Sequence, residues 1–388
     1  MRIPALAYDD ARRFPRARWV DLRSPAEHAL DRIPGAMSAP LFDDQQRALV
    51  GTLYKQISPD AAYDRGLGFV AAGMPELLAC ILGREVPRTE WEPRFADLAL
   101  RLRAGSTVAL TERVTSLPNE GEGTTLLHCW RGGMRSRSVA ALLLALGQRA
   151  ALLDGGYKAY RSWILARLAA WPPPGPSPFL VISGATGTGK TLLLRELEAA
   201  APGTVLDLED LAQHRSSILG GVGRQPVSQA AFESRLVARL EQLGPAPWFI
   251  EAESRKVGDV ILPPSLWSAL RAGFVIELSA RTERRVQILV EDYLEQPENV
   301  AEIALRLPFL EQRLGPAWSG RLSSLLAAGR PDEIAAQLLE HYYDPRYRHS
   351  SADLVPGMQL DSEDPARVER LQELRARRAG RSLTPASR

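Results

Sequence analysis

Two short stretches of this chain combine residue types and spacings suited to chemistry on anions. The first is HCWRGGMRS, His128 to Ser136, with five residues between Cys129 and Arg135. It overlaps the end of TTLLHCW (124–130), which reads as a buried strand, and precedes SRSVAALLLALG (136–147), which reads as a helix stopped by Gly147. A loop between strand and helix can turn backbone N–H groups and the helix N-terminus toward one point. An anion is stabilised there, and a thiolate there has a lowered pKa and is a better nucleophile near neutral pH. Gly132 and Gly133 permit the curl, while Arg131 and Arg135 add positive charge. Cys129, Arg131 and Arg135 are therefore the candidate catalytic residues. A lone cysteine is more commonly a buried structural residue, but the glycines, arginines and helix around this one favour chemistry.

The second stretch, FLVISGATGTGKT (179–191), matches a strand, a G-x-x-x-x-G-K-[ST] loop and the start of a helix. Gly184, Gly187 and Gly189 let backbone amides wrap an oxyanion. Lys190 adds charge on the distal phosphates, and Thr191 can hold a Mg²⁺. The helix TLLLRELEAA (191–200) points its positive end at the same place. Such a loop indicates a phosphate-bearing ligand and does not decide between a nucleotide and another diphosphate ester. Acidic partners could come from Asp207, Glu209 and Asp210 after one strand, or from Glu251 and Glu253 after another. Asp207 and Glu251 are the candidates taken for that role, and each could equally be an ordinary strand-end carboxylate. No residue set specifies a metal site with certainty.

The elements that must position these loops follow from patterning. RWVDLRS (18–24) reads as a short buried strand. ALLDGGYKAYRSWI (151–164) reads as strand, Gly-Gly turn and helix. TVLDLEDL (204–211), PWFIEAES (247–254) and GFVIELSA (273–280) read as further strands, and the pattern from Arg281 to about Gln372 is mainly helical. Strands alternating with helices predict an α/β layer fold with mostly parallel sheets. WPPPGPSP (171–178) carries five prolines in eight residues, which suits an extended linker. The predicted organisation is therefore a parallel-sheet domain over 1–170, a linker over 171–178, a P-loop α/β domain with a helical part over 179–374, and an Arg-rich, frayed tail over 375–388.

Composition narrows the class. The chain has 388 residues, 45% of them apolar and 24% charged, which is ordinary for a globular protein and excludes fibrous and disordered classes. No continuous apolar run reaches the length of a spanning helix, and no secretory signal is visible, so no membrane role is expected. Two cysteines, Cys80 and Cys129, cannot build a disulfide framework, and a reducing, cytoplasmic setting fits. The net charge is only +2, so a polyanion partner would need a local basic patch. There are 44 Arg and four Lys: Lys55, Lys158, Lys190 and Lys256.

The Cys129 loop resembles the rhodanese family of sulfurtransferases. VDLRSPAEHALDRIPGAMSAPLF (20–42) is similar to that family's leading signature, and LLDGGYKAYRSWI (152–164) to its closing Gly-Gly segment. The loop is about one residue longer than is usual there. His-Cys-x5-Arg-Ser is also the protein tyrosine phosphatase signature, in which the thiolate attacks phosphorus and the Arg clamps phosphate oxygens.

A rhodanese-like module followed by a phosphate loop resembles the bacterial tRNA 2-selenouridine synthase family. Further similar segments are GTLYKQISPDAAYDRG (51–66), DLEDLAQHRSSILG (207–220), QPVSQAAFE (225–233) and FIEAESRKVGDVILP (249–263). The chain departs from the family pattern at Ser216, where a Gly is expected, and near Ala252, where a more acidic run is expected.

The resemblance implies a rhodanese-like fold joined to a P-loop NTPase-like fold. It implies geranylation of 2-thiouridine at the tRNA wobble position from geranyl diphosphate. Replacement of the geranyl-thio group by selenium from selenophosphate would follow, with Cys129 as the selenium carrier. No covalently bound cofactor is implied. The partners would be tRNA carrying 2-thiouridine and a selenophosphate-supplying enzyme. An apolar channel for the geranyl chain is also expected, though no sequence feature locates it.

Candidate tRNA contacts are His214, Arg215, Arg284 and Arg285. Arg281, Arg346, Arg348, Arg375, Arg377 and Arg378 could also meet phosphates, and Tyr342, Tyr343 and Tyr347 could stack an unpaired base. Two other readings stay open: a Cys-x5-Arg phosphatase fused to a nucleotide-binding domain, and a non-catalytic nucleotide sensor.

Overall fold

Apolar runs bounded by turn residues become parallel strands in both halves of the chain. The structure, a computed structural model, describes residues 2–103, 110–172, 175–294, 297–350 and 355–382. The chain divides into two units, residues 1–166 and 167–388.

The first unit begins with β1 (Arg2–Leu6), α1 (Tyr8–Ala11), β2 (Arg18–Asp21), α2 (Pro25–Leu30) and β3 (Met37–Ser38). Three helices follow: α3 (Asp44–Gln56), α4 (Pro59–Leu82) and α5 (Arg88–Arg103). The unit then runs through β4 (Leu110–Arg113), β5 (Thr124–His128), α6 (Met134–Ala145), β6 (Arg149–Leu153) and α7 (Gly156–Ala169). Six strands form one sheet in the order β3-β2-β5-β6-β1-β4, and every pairing is parallel. β5 is buried at all its residues, as a parallel strand covered on both faces must be. Val20, Leu22, Met74, Leu78, Trp91, Leu127 and Leu142 share one core, and Cys129 belongs to it.

Helix α4 differs from expectation. By length and composition it is apolar enough to cross a membrane. The sequence reading finds no continuous run of that kind because Arg, Glu, Pro or Gly interrupts each one, here Arg65, Gly68, Gly73, Pro75 and Glu76; Arg65 and Glu76 are exposed. Ala62, Gly66, Met74, Leu77, Leu78 and Ile81 are buried.

The second unit contains β7 (Phe179–Ser183), α8 (Lys190–Ala200), β8 (Val205–Leu206), α9 (Leu208–Ala212), α10 (Gln229–Gln242) and β9 (Trp248–Glu251). A small antiparallel pair, β10 (Lys256–Val257) and β11 (Val260–Ile261), comes next. Then come α11 (Pro264–Arg271), β12 (Phe274–Ser279), α12 (Thr282–Leu294) and α13 (Pro297–Leu314). The last elements are α14 (Arg321–Ala327), α15 (Pro331–Leu338), α16 (Asp344–Ser350), β13 (Met358–Asp361) and α17 (Arg367–Ser382). The five-stranded parallel sheet has the order β13-β12-β7-β9-β8. A second core within this unit joins Leu219 and Val222 to Ile303, Leu307, Leu310, Leu322 and Tyr342.

Three details depart from the sequence reading. The strand expected over 204–211 stops at Leu206, because the Asp207 carboxylate accepts from Asp210 N at 2.8 Å and starts α9. β13 lies inside the stretch read as helical and completes the sheet edge beside β12. The segment read as a frayed tail from Arg375 continues α17 to Ser382, and Arg375 donates to Pro247 O and Pro245 O. In the Pro-rich segment, Trp171 stacks on Trp248, while residues 173–174 lie outside the described residues.

Candidate functional site

The Cys129 loop leaves the carboxyl end of β5 and enters α6 at Gly133. Its curl depends on backbone packing too close for side chains. Gly132 has φ 65°, and a Cβ there would lie 3.2 Å from Gly155 N, Gly156 N and Leu153 O. A Cβ on Gly156, at φ 60°, would lie 2.3 Å from Cys129 O and 2.5 Å from Gly132 N. The start of α7 then locks the loop: Tyr157 N donates to Cys129 O and Lys158 N to Trp130 O, both at 2.9 Å. Cys129 is 2% exposed, and its Sγ lies 3.3 Å from Ser136 Oγ. Arg131 is exposed. Arg135 lies 3.4 Å from Glu27 Oε2, and Glu27 also pairs with Arg47 at 3.0 Å.

A buried charge network sits beside this loop, and sequence reasoning gave it no role. Asp21 of β2 pairs in register with His128 of β5. Arg23 donates to Asp21 Oδ2 at 2.6 Å and to Asp31 O at 2.7 Å, with its guanidinium 3.7 Å from the Tyr157 ring centroid. Tyr157 OH donates to Asp31 Oδ2 at 2.6 Å. Burial favours a neutral Asp21, but the bonds from Arg23 outweigh it and hold the pKa below the ordinary value. Burial pushes His128 down to about 4, against the pull of Asp21. His128 is therefore neutral at pH 7. The Asp-x-Arg spacing was the available signal, since a buried Asp two residues from a buried Arg can close an ion pair locally.

In the second unit the phosphate loop joins β7 to α8. Gly184 and Gly187 are needed for close approach: a Cβ on them would lie 2.5 Å from Leu278 O and 2.8 Å from Arg285 O. Gly189, at φ 87°, is the N-cap of α8. Lys190 Nζ donates to Gly184 O at 2.8 Å and Ala185 O at 3.2 Å, folding its charge over the loop. Thr191 Oγ1 donates to Glu209 Oε2 at 3.3 Å, and Glu251 Oε1 accepts from Glu209 N at 2.8 Å. Glu209 is thus the carboxylate in contact with the loop's hydroxyl. Glu251 orients Glu209, and Asp207 caps α9. Burial and the neighbouring carboxylate Glu253 raise Glu209 to about 8, and burial raises Glu251, Glu253 and Asp207 as well. Among the described residues, no group of three His, Cys, Asp or Glu side chains converges as a metal site. A cavity of about 930 Å³ opens over the loop, lined also by Arg195, Trp267, Tyr293, Arg313, Arg346 and Tyr347.

Several residues expected to meet RNA hold this unit together instead. Arg285 donates to Thr186 O at 2.9 Å and pairs with Asp344 at 2.5 Å, bracing the phosphate loop from below. Arg215 pairs with Asp292 at 3.1 Å and donates to Val222 O and Asp292 O. His214 Nδ1 accepts from Ser216 N at 3.1 Å, and its ring packs against Gly220 and Gly258. Tyr342 and Tyr343 are core residues, which removes them as free stacking platforms. Arg281 is paired with Glu363, Arg377 with Glu373, Arg346 lies over the Tyr342 ring and Arg378 over Phe274. Arg284 is partly exposed, 3.9 Å from Glu291. The side chain of Arg348 lies outside the described residues.

Ser216, where the family pattern calls for Gly, has φ 50°, in the left-handed region that costs an L side chain about 1–2 kcal/mol. Ser216→Gly should raise stability by about 1 kcal/mol in urea denaturation; an unchanged or lowered midpoint would contradict this. His128 gives a pH signature. The unfolded residue takes a proton near 6.5 and the buried one near 4, so between these values the unfolded state binds more protons. His128 should therefore cost the fold about 1.4 kcal/mol for each pH unit of acidification from 6.5 toward 4. Urea titrations at pH 7 and pH 5 should show a smaller loss in His128→Leu than in the wild type, and equal losses would exclude the effect.

Comparison with known proteins places the chain in a family. A family model described as the tRNA 2-selenouridine synthase AAA domain matches residues 177–313. A protein of Nitrosomonas europaea named tRNA 2-selenouridine synthase is 31% identical over 300 residues, covering 76% of this chain and 68% of its own length. One of the same name from Nitrosomonas eutropha is 30% identical over 279 residues, covering 71% of this chain and 62% of its own length. With a match that runs over most of both chains, this protein belongs to the tRNA 2-selenouridine synthase family.

Proposed function

We propose that this chain is a tRNA-modifying transferase that converts wobble 2-thiouridine to 2-selenouridine in two steps. In the first, the sulfur attacks C1 of geranyl diphosphate, the C1–O bond breaks with its electron pair on the departing diphosphate, and N3 of the base gives up its proton. In the second, the selenium of selenophosphate forms a bond to C2 of the base, and water then cleaves the Se–P bond, its hydroxyl leaving on phosphorus as phosphate and its proton going to N3. The C2–S bond then breaks with its pair on sulfur, which leaves as geranyl thiolate. Alkylation matters because a thiocarbonyl is a poor leaving group and a thioether carbon–sulfur bond a better one. The observation that carries this reading is the presence, in one chain of this family, of a thiol in a strand-to-helix loop and a phosphate loop.

Cys129 is the residue assigned to the selenium step. It follows a buried parallel strand and precedes the α6 N-terminus, with its Sγ 3.3 Å from Ser136 Oγ. Arg131 and Arg135 supply positive charge for the incoming selenophosphate. In the second unit, the amides of Gly184 to Gly189 and the Lys190 ammonium suit the diphosphate of the donor. The hard oxygen donors of Thr191 and Glu209 fit Mg²⁺, which when bound would offset the charge of that diphosphate. Arg284 remains a candidate phosphate contact for the tRNA. A selenophosphate-supplying enzyme is the expected partner, and the cytoplasm, where tRNA is found, the expected setting.

Nucleoside mass spectrometry tests the reading on 2-thiouridine tRNA given geranyl diphosphate and selenophosphate, together and singly. Wild type should yield geranylated thiouridine, then selenouridine. Cys129→Ser should stop at the geranylated nucleoside. Lys190→Ala should lose at least about ten-fold in geranyl transfer, the size of effect that loss of a charged phosphate contact produces. Unchanged nucleosides from wild type would overturn the reading, and full geranyl transfer by Lys190→Ala would move the donor away from the phosphate loop.

A further inference from the structure

A cavity of about 860 Å³ opens within the first unit beside the Cys129 loop. Its walls come from α3, α4, α5 and α6, and Phe42, Val50, Val70, Met74, Phe95 and Leu142 make them apolar. The volume falls within the range of about 300–1,000 Å³ common for sites that hold small organic ligands. Arg47, Lys55 and Arg135 line it, whereas no Asp or Glu does among the described residues. Helix α4 accounts for the opening. It is apolar enough to cross a bilayer, yet only 28% of its most apolar stretch is buried. An apolar surface of this kind stays unfavourable in water until something apolar covers it.

The cavity is joined to the chemistry by α6. Met134 and Arg135 line it and also form the first turn of the helix that receives the Cys129 loop. Ser138, Val139 and Leu142 continue the same wall along α6. Arg135 and Arg47 are both held by Glu27, which fixes one side of the mouth. An occupant must therefore be aliphatic along its length, end near the Cys129 loop, and lie next to negative charge. A free phosphate or an unmodified base would leave the apolar walls uncovered.

We infer that this cavity holds the geranyl chain of the S-geranylated nucleoside while C2 of the base faces the Cys129 loop. The inference rests on the proposed function and adds the place where the chain is read. Lys55 and the two arginines then face phosphates of the RNA that carries the base. Unmodified 2-thiouridine and the selenouridine product both lack the chain, so the cavity retains the intermediate and lets the product go. It acts as a specificity pocket and makes no bond itself.

Fluorescence anisotropy on the full-length protein tests this with two labelled anticodon-stem oligonucleotides, one carrying S-geranyl-2-thiouridine and one S-methyl-2-thiouridine. Wild type should bind the S-geranyl RNA at least about ten-fold more tightly, the discrimination an apolar pocket gives for extra methylenes. Val70→Trp fills the cavity from α4. Ala48→Trp narrows its mouth from an exposed position on α3 and leaves the core intact. The preference should fall toward one in both variants. Circular dichroism checks their folding, and Ala48→Trp carries the test if Val70→Trp unfolds. A preference kept by both folded variants would overturn the inference, as would equal binding of the two RNAs by wild type.

Calorimetry with geraniol and a selenium-transfer assay separate this result from the fate of the proposed reaction. Geraniol binding lost in the variants, with no selenium transfer by wild type, would support the cavity as a chain site and overturn the reaction. Selenium transfer by wild type, with an unaltered S-geranyl preference in the variants, would support the reaction and overturn the cavity assignment.

Discussion

A parallel strand buried on both faces cannot turn back on itself, and both sites of this protein follow from that constraint. β5 and β7 are buried at every residue, and each must pass into a crossover helix at its carboxyl end. The backbone amides between strand and helix are the unpaired donors of that passage. In the first unit this passage carries a thiol and in the second a phosphate loop. The glycines are the price of such close turns: at Gly156, Gly184 and Gly187 another stretch of backbone occupies the space a Cβ would need.

Both loops were legible because their signals are local. In each case the strand, the Gly-rich turn and the start of the helix are consecutive in sequence, and Cys129 lies in the one run and Lys190 in the other. Signals that depend on distant pairing were harder to read. β1 contains Pro4, which ordinarily argues against a strand, yet β1 lies between β6 and β4. β13 is four residues long and acquires its identity only by pairing with β12. Glu209 could not be separated from Asp207 in sequence. Folding separates them, placing one carboxylate on Thr191 and the other on the backbone of α9.

Arginines were the least legible residues. With 44 of them, any cluster resembles a polyanion site, and only the partner decides. Arg285 and Arg215 spend their donors on carbonyls and carboxylates of their own unit, so their charge serves cohesion. The four-helix cavity of the first unit was equally invisible, because its walls come from residues spread between Leu41 and Leu142. Apolar periodicity announces that a helix has a covered side without saying whether protein or ligand covers it.

The scarcity of lysine gives the phosphate loop an unusual chemical address. Lys190 is one of four lysines, and its amine is engaged by two carbonyls of the loop it serves. Lys55 and Lys256, by contrast, are exposed. An acylating reagent therefore meets very few side-chain amines on this surface. The one at the phosphate loop is less accessible than the others, so its labelling rate, read at that residue, gauges what occupies that loop.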